Sequence, residues 1–248
     1  MKTFLSVLVL SFVFVMLSAQ HSSTYINAKA TGEIKNGMLN GKAEAIMTDG
    51  SVYYGEWKDD KRNGYGKARL KDGSNYDGNW KDDKRNGQGI YFFANGDKYV
   101  GDFLEDKMHG EGFFYYASGD TYEGSFLNGI PNGIGIIRYA NGESYQGQIT
   151  NMKKNGFGVY TYLSGKIYKG IFVNDQRTGR GEMILPNGNS YRGDFMNGKM
   201  TGSGTYYFQN GDVYEGNFIN GVFEGQGTYT FANGERKAGL WAAGNLQS

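Results

Sequence analysis

Glycine recurs along this chain with a fixed period of 23 residues, and this repeat constrains the fold more than any other feature. A reference glycine, the Gly of a Tyr-x-Gly-x-aromatic pattern, falls at positions 32, 55, 78, 101, 124, 147, 170, 193, 216 and 239. The remaining glycines follow a reference glycine by five, nine, eleven or eighteen residues, so all 41 are in register. A fixed period of this size is typical of a tandem array of one supersecondary unit. A phosphate-binding glycine loop is excluded because it would occur once, before a helix.

Each repeat has the pattern of a β-hairpin. Around a reference glycine, Tyr53, Gly55 and Trp57 alternate with more polar neighbours, which predicts a strand with one apolar face. A polar turn from Lys58 to Asn63 follows, and then a second strand. An Asn-Gly or Asp-Gly dipeptide such as Asn95-Gly96 then joins one repeat to the next, and these dipeptides tolerate the positive φ of tight turns.

The aromatic residues that flank the reference glycines are predicted to form a ladder along one face. A glycine that faces a ring across a strand pair leaves room for that ring to lie flat. The ladder is interpreted as mainly structural, with a ligand groove as the alternative. Its members are Tyr53, Trp57, Tyr76, Trp80, Tyr99, Phe103, Tyr122, Phe126, Tyr168, Phe172, Tyr191, Phe195, Tyr214 and Phe218.

The repeat sequence resembles that of a known family. Tyr53-Tyr54-Gly55-Glu56-Trp57-Lys58 and Tyr122-Glu123-Gly124 are similar to the MORN (membrane occupation and recognition nexus) repeat, and the resemblance covers residues 30–241. It implies an all-β fold: an elongated, twisted antiparallel sheet of tandem 23-residue hairpins, about nine hairpins plus a terminal strand. It also implies a module that binds proteins, self-associates or associates with membranes.

The array departs from this pattern at a few positions. Ala30, Ile34 and Ala43 replace the expected Tyr, aromatic residue and Gly in the first repeat, which indicates a cap. Ile149 replaces the aromatic residue of the sixth repeat.

The N-terminus has the pattern of an export signal. Lys2 precedes a nearly unbroken apolar stretch, and Leu17-Ser18-Ala19 forms a cleavage site. We therefore expect a signal peptide at 1–19, a short segment at 20–29, the array at 30–241 and a tail at 242–248. The predicted location is secreted, periplasmic or at the cell surface, and an uncleaved signal would instead anchor the chain in a membrane.

Composition excludes several classes of function. Without Lys2 the chain carries 25 basic and 25 acidic side chains, so it lacks the excess positive charge that nucleic acid binding requires. It contains no cysteine, so thiolate metal sites and disulfides are absent. We predict no nucleic acid partner and no cofactor.

No residue set apart from the repeat indicates catalysis or metal binding. His21 and His109 are far apart in sequence and are interpreted as solvated. Acidic pairs such as Asp59-Asp60 precede Lys or Arg, which favours neutralised turns over a calcium or glycosidase site. We therefore predict a non-enzymatic protein without catalytic or metal-binding residues.

One face of the second strands carries an unexpected apolar patch. The equivalent positions in flanking repeats hold polar residues such as Lys67, Glu182 and Thr205. Because a contiguous apolar patch on a polar face usually marks a contact surface, we predict binding to a protein partner or a second copy. The alternatives are a phospholipid surface and, more remotely, glycans bound by the aromatic ladder. The patch consists of Ile90, Phe92, Phe113, Tyr115, Ile134, Ile136, Phe157 and Val159.

Overall fold

A computed structural model gives the structure of residues 31–247 as one antiparallel sheet of 20 strands. The predicted signal peptide and the segment at 20–29 lie outside these described residues. The strands are β1 (Thr31–Lys35), β2 (Met38–Ile46), β3 (Val52–Lys58), β4 (Lys61–Arg69), β5 (Asn75–Lys81), β6 (Lys84–Phe92), β7 (Lys98–Leu104), β8 (Lys107–Tyr115), β9 (Thr121–Leu127), β10 (Ile130–Arg138), β11 (Ser144–Thr150), β12 (Lys153–Thr161), β13 (Ile167–Val173), β14 (Gln176–Ile184), β15 (Ser190–Met196), β16 (Lys199–Tyr207), β17 (Val213–Ile219), β18 (Val222–Thr230), β19 (Arg236–Ala242) and β20 (Asn245–Leu246).

Each strand pairs with the strands that precede and follow it in sequence. Nine hairpins run from β1–β2 to β17–β18, and β19 follows with the short β20 paired to its end. The predicted fold class is therefore confirmed. Within residues 31–247, no helix is long and apolar enough to cross a membrane.

Two kinds of turn alternate along the sheet. Within a hairpin the turn has two residues, as at Asp59 and Asp60, both with positive φ. This turn is shorter than the predicted polar turn because Lys61 to Asn63 already belong to β4. Between hairpins, only the glycine of the Asx-Gly dipeptide has positive φ, as at Gly73 (90°). The Asx side chain instead accepts a backbone hydrogen bond two residues later, which rigidifies the turn.

Each hairpin contains an irregularity at which the pairing of its two strands shifts register. In the pairing of β3 with β4, Gly55 faces Gly66 and Trp57 faces Arg62, so Glu56 has no partner on β4. The longer arc on β4 contains Gly64, with φ of 85°. The ring of Tyr53 lies across the paired glycines, and a Cβ added to Gly66 would approach the Tyr53 hydroxyl to 2.2 Å. Glycine is therefore required at this position for the ring to pack.

The aromatic residues on this face form the core of the protein. All fourteen residues of the predicted ladder are buried, and Tyr91, Phe114, Tyr145 and Trp241 are buried with them. Neighbouring rings meet edge to face, as for Tyr53 and Trp57 at 5.2 Å between centroids, a geometry that aromatic quadrupoles favour. Burial raises the pKa of Tyr145 to about 12.

In four hairpins, an aspartate of the two-residue turn accepts a hydrogen bond from the backbone of the preceding hairpin. The Asp83 carboxylate accepts hydrogen bonds from the backbone N–H of Arg62 (3.0 Å) and from its Nε (3.2 Å), and the Asp83 N–H donates to the Arg62 carbonyl (3.1 Å). The Arg62 guanidinium also lies 4.1 Å from the ring centroid of Trp80. Asp83 thus connects the turn of its own hairpin to the backbone of β4 and, through Arg62, to the Trp80 ring of the ladder.

Candidate binding surface

The face of the sheet opposite the ladder, here called the outer face, carries all eight residues of the predicted patch. Ile134, Phe157 and Phe113 are the most exposed of them, at 69%, 56% and 45%, while Ile90, Ile136 and Val159 are half-buried. The strand register divides the patch into two clusters.

The first cluster spans β6, β7 and β8. Ile90, Val100 and Phe113 are direct cross-strand neighbours in one row. In the adjacent row Lys98 lies between Phe92 and Tyr115, and its ammonium group is 4.8 Å from the centroid of the Tyr115 ring. The lysine stem thus extends the apolar surface while its charge remains in solvent.

The second cluster spans β10 to β13. Ile134 and Ile136 lie on β10 and Phe157 and Val159 on β12, with two glutamines of β11 between them. Phe157 faces Ile171 on β13. An ion pair between Glu123 and Arg138 (3.3 Å) separates this cluster from the first.

Charged residues bound the patch on both sides. The row that holds Ile90 and Phe113 continues toward the C-terminus as Lys169, Glu182 and Arg192, and Glu182 accepts a hydrogen bond of 2.9 Å from Arg192. Toward the N-terminus, Lys67 pairs with Asp77 at 2.8 Å. The apolar surface is therefore most continuous in the middle of the sheet, and single exposed side chains such as Tyr54 and Leu240 lie on the outer face elsewhere.

The structure adds Val100 and Ile171 to the predicted patch. Both lie on first strands, whereas the sequence prediction considered only second strands. The sequence does indicate both residues. Val100 immediately precedes a reference glycine and Ile171 immediately follows one, so the alternation of side chains along a strand places both on the face opposite the ladder.

The remaining sequence candidates take structural positions. His109 is half-buried at the hairpin irregularity of β8, and its carbonyl accepts a long hydrogen bond from Tyr99 (3.4 Å). His21 lies outside the described residues. The turn carboxylates Asp83 and Asp106 bond to arginines of the preceding hairpin. Residues 31–247 hold no group of three or more His, Cys, Asp or Glu side chains arranged to bind a metal.

These features define a hairpin-repeat protein with a buried ring-bearing face and an exposed outer face. The MORN repeat model matches nine consecutive segments of the sequence, and the chain belongs to this family. The matched segments are residues 31–52, 53–75, 76–98, 99–121, 122–144, 145–166, 168–190, 191–213 and 214–236. No curated protein sequence matches the chain.

Several similar solved structures are domains of CPAP proteins. The TCP10 domain of Danio rerio CPAP, solved with a peptide of Danio rerio STIL, is 14% identical with a TM-score of 0.45, and the alignment covers 80% of this chain and 83% of that one. The same domain alone is 12% identical with a TM-score of 0.47, covering 79% and 93%. The TCP domain of Drosophila melanogaster SAS-4 (dCPAP), in complex with a proline-rich motif of Ana2, is 17% identical with a TM-score of 0.32, covering 79% and 88%. These values are too low to support an inference about function.

Proposed function

We propose that this chain is an exported, non-enzymatic module that binds a protein partner through the outer face. The observation that carries the proposal is the exposed patch that contains Phe113, Tyr115 and Phe157 and is bounded on both sides by ion-paired residues. Aromatic side chains are enriched in the energetically important parts of protein interfaces. The family is commonly associated with protein or membrane binding.

The ladder is a poor alternative as a binding surface. Tyr53, Tyr99 and Tyr168 are almost completely buried, so their ring faces are unavailable to a sugar unless the core opens. A lipid surface is also less well supported, because basic and acidic residues alternate on the outer face and anionic headgroups attract clustered positive charge.

Export is part of the proposal and is supported by the apolar N-terminal segment that follows Lys2. Mass determination of the mature protein tests it directly. A mature N-terminus at Gln20 is expected, and retention of Met1 on a protein that stays inside the cell would contradict export.

Substitutions in the patch test protein binding. Phe113→Lys with Ile136→Lys should abolish partner association and leave the far-UV spectrum unchanged, since neither side chain belongs to the buried ladder. The matched control is Thr205→Lys with Thr228→Lys, which introduces the same charges at the same repeat position outside the patch.

Association is measured by crosslinking and co-purification from the compartment that receives the protein, together with light scattering of the purified chain. A partner or second copy retained by the wild type and the control, but lost by the patch variant, supports the proposal. Equal association of all three proteins, or none by the wild type, overturns it. Salt-insensitive flotation of residues 20–248 with phospholipid vesicles would instead favour a lipid surface.

A further inference from the structure

Side chains on the outer face form three parallel rows that cross the strands from β6 to β12. The middle one, here called the central row, is apolar except for Glu123 and Gln146. Cross-strand pairing places its members next to one another in the order Ile90, Val100, Phe113, Glu123, Ile136, Gln146 and Val159. The patch is therefore built around one strip that runs along the sheet.

The row on the side of the two-residue turns, here called the acidic flank, carries only negative charge between β3 and β10. Its charged members there are Glu56, Asp102 and Glu111. The side chains of Gln88 and Ser125 donate hydrogen bonds to the Asp102 and Glu111 carboxylates. In the described part of the chain, however, no cationic side chain lies at ion-pair distance from any of these three carboxylates.

The row on the side of the Asx-Gly turns, here called the basic flank, carries only positive charge over the same strands. Its charged members are Arg69, Lys98 and Arg138. Arg138 pairs with Glu123, whereas neither Arg69 nor Lys98 has a carboxylate at ion-pair distance among the residues that the structure describes. Opposite charges thus lie on the two sides of the central row, and most of them are not neutralised within the chain.

A twofold rotation about an axis along the central row makes this arrangement complementary to itself. The rotation turns the outer face of a second copy toward the first, sets each strand opposite the same strand of the copy and exchanges the two flanks. Asp102 and Lys98 lie two residues on either side of Val100 on β7, so Asp102 then faces Lys98 of the second copy. An isologous contact forms every such pair twice.

The remaining residues near the axis are compatible with this contact. Apolar members of the central row such as Phe113 meet their own copies. Glu123 also meets its copy, and Arg138 of the same chain, at 3.3 Å, neutralises each carboxylate. The aliphatic stem of Arg138 then covers Ile134 of the second copy, which is 69% exposed in the single chain.

The contact area is sufficient for a stable dimer. Three rows across the eight strands from β6 to β13 measure about 38 Å by about 20 Å, or about 770 Å² for each copy, from the usual strand spacing and rise per residue. A standard protein interface buries about 800 Å² on each partner. Because both copies have the same twist per strand, the rows stay in contact along their length.

We propose that the partner bound by the outer face is a second copy of this chain, packed face to face about the axis along the central row. The inference rests on the proposed function, since it names the partner of the same patch. Self-complementarity of the two charged flanks is what favours a second copy over an unrelated protein.

Charge reversal on β7, followed by sedimentation equilibrium of the purified mature protein, tests this proposal. The wild type should be a dimer. Asp102→Lys and Lys98→Glu each place like charges opposite one another, so each should raise the dimer dissociation constant at least about tenfold without changing the far-UV spectrum. In an equimolar mixture of the two variants every facing pair again joins opposite charges, and a dimer with one copy of each should form with wild-type affinity.

A matched control separates the facing pairs from a general effect of charge. Arg236→Glu reverses a charge at the repeat position of Lys98, but on β19 and outside the patch, and should leave the dissociation constant unchanged. If Asp102→Lys does not fold, Glu111→Lys, on the neighbouring strand of the same flank, takes its place.

Crosslinking of single cysteines tests the position of the axis, since the chain contains no cysteine of its own. Gln146 lies on the axis, and Gln148 lies two residues away on the same strand. With a short bismaleimide, Gln146→Cys should join to its own copy. Gln148→Cys is displaced from its copy by about 13 Å along the strands and should instead join to a Ser144→Cys chain. Self-crosslinking of Gln148→Cys without that of Gln146→Cys would overturn the axis.

The outcomes distinguish this inference from the proposed function. Wild-type affinity in both β7 variants, or a mixture that does not restore the dimer, overturns the inference. A wild type that is monomeric throughout the concentration series also overturns it. If that monomer still retains another protein that is lost by the variant with Phe113→Lys and Ile136→Lys, the proposed function stands. If it retains none, both fail.

Discussion

The hydroxyl of Tyr53 donates a hydrogen bond of 3.0 Å to the carbonyl of Glu56, the residue left without a partner on β4 where β3 and β4 change register. Counting Tyr53, the tyrosine two residues before the reference glycine makes this bond to the carbonyl three residues later in eight repeats, at 2.7–3.3 Å. The phenol therefore supplies a donor to the backbone at the position where the strand pairing of the hairpin shifts register. This explains why the position holds tyrosine and not phenylalanine.

Removal of one such hydroxyl should destabilise the sheet. Tyr76→Phe keeps the ring on Gly89 but leaves the carbonyl of Asn79 without its 2.9 Å donor. We expect a loss of about 1–2 kcal/mol in the free energy of unfolding, measured by denaturant titration. Tyr65→Phe is the control, because its hydroxyl bonds to Asp77 on the exposed face, and it should change stability by less than about 0.5 kcal/mol. Equal effects of the two substitutions would contradict this account.

A methyl group on the glycine beneath a ring should be more disruptive. Gly66→Ala places a Cβ 2.2 Å from the Tyr53 hydroxyl, so the ring must leave its site, and we expect a loss of about 2–4 kcal/mol. Gly37→Ala measures backbone strain alone, since its φ is 76° and nothing lies within 4 Å of the added atom. That variant should lose only about 1 kcal/mol. A smaller effect at Gly66 than at Gly37 in thermal or denaturant unfolding would exclude the ring clash.

The turn aspartates should protect individual amides of the preceding hairpin. Asp83→Gly removes both side-chain hydrogen bonds to Arg62 and suits the positive φ of 67°, so the substitution isolates the carboxylate. Faster hydrogen exchange of the Arg62 amide is expected, with a loss of about 1 kcal/mol.

The reciprocal substitution provides the control for this turn. Gly129 occupies the equivalent position, where its N–H donates to the Met108 carbonyl without a carboxylate. Gly129→Asp should slow exchange of the Met108 amide. Unchanged exchange at both amides would show that the carboxylate does not contribute.

The sequence predicts the repeating parts of this fold well. The residue types found at Tyr53, Gly55 and Gly66 recur every 23 residues. The alternation of apolar and polar side chains around them is enough to predict the hairpins and the buried face. The turn between Lys58 and Asn63 was predicted too long because polar residues of β4 were attributed to it. Polarity does not separate a turn from an exposed strand end, whereas the paired positive φ values of Asp59 and Asp60 do.

Contacts between hairpins are less accessible to sequence analysis. Val100 joins Ile90 and Phe113 only through the register of three strands, and a comparison restricted to second strands cannot find it. The replacement at Ile149 was visible as a departure from the pattern. The position of the Arg62 guanidinium over the Trp80 ring, in contrast, required the structure.

Alkaline pH should unfold the protein through its buried tyrosines. Burial raises the pKa of Tyr145, Tyr168 and Tyr191 from 10.0 to about 12 because the ionised phenol would lose its hydration. Between these values the folded state retains protons that the unfolded state has lost, so stability is fully present below pH 10 and falls as the pH approaches 12. The near-ultraviolet signal of ionised tyrosine should therefore rise in a step that coincides with loss of the far-UV spectrum. Tyr145→Phe should reduce the slope of stability against pH in this window. Reversible ionisation of all the ladder tyrosines near pH 10, with the sheet intact, would show that the burial of these phenols does not control their titration.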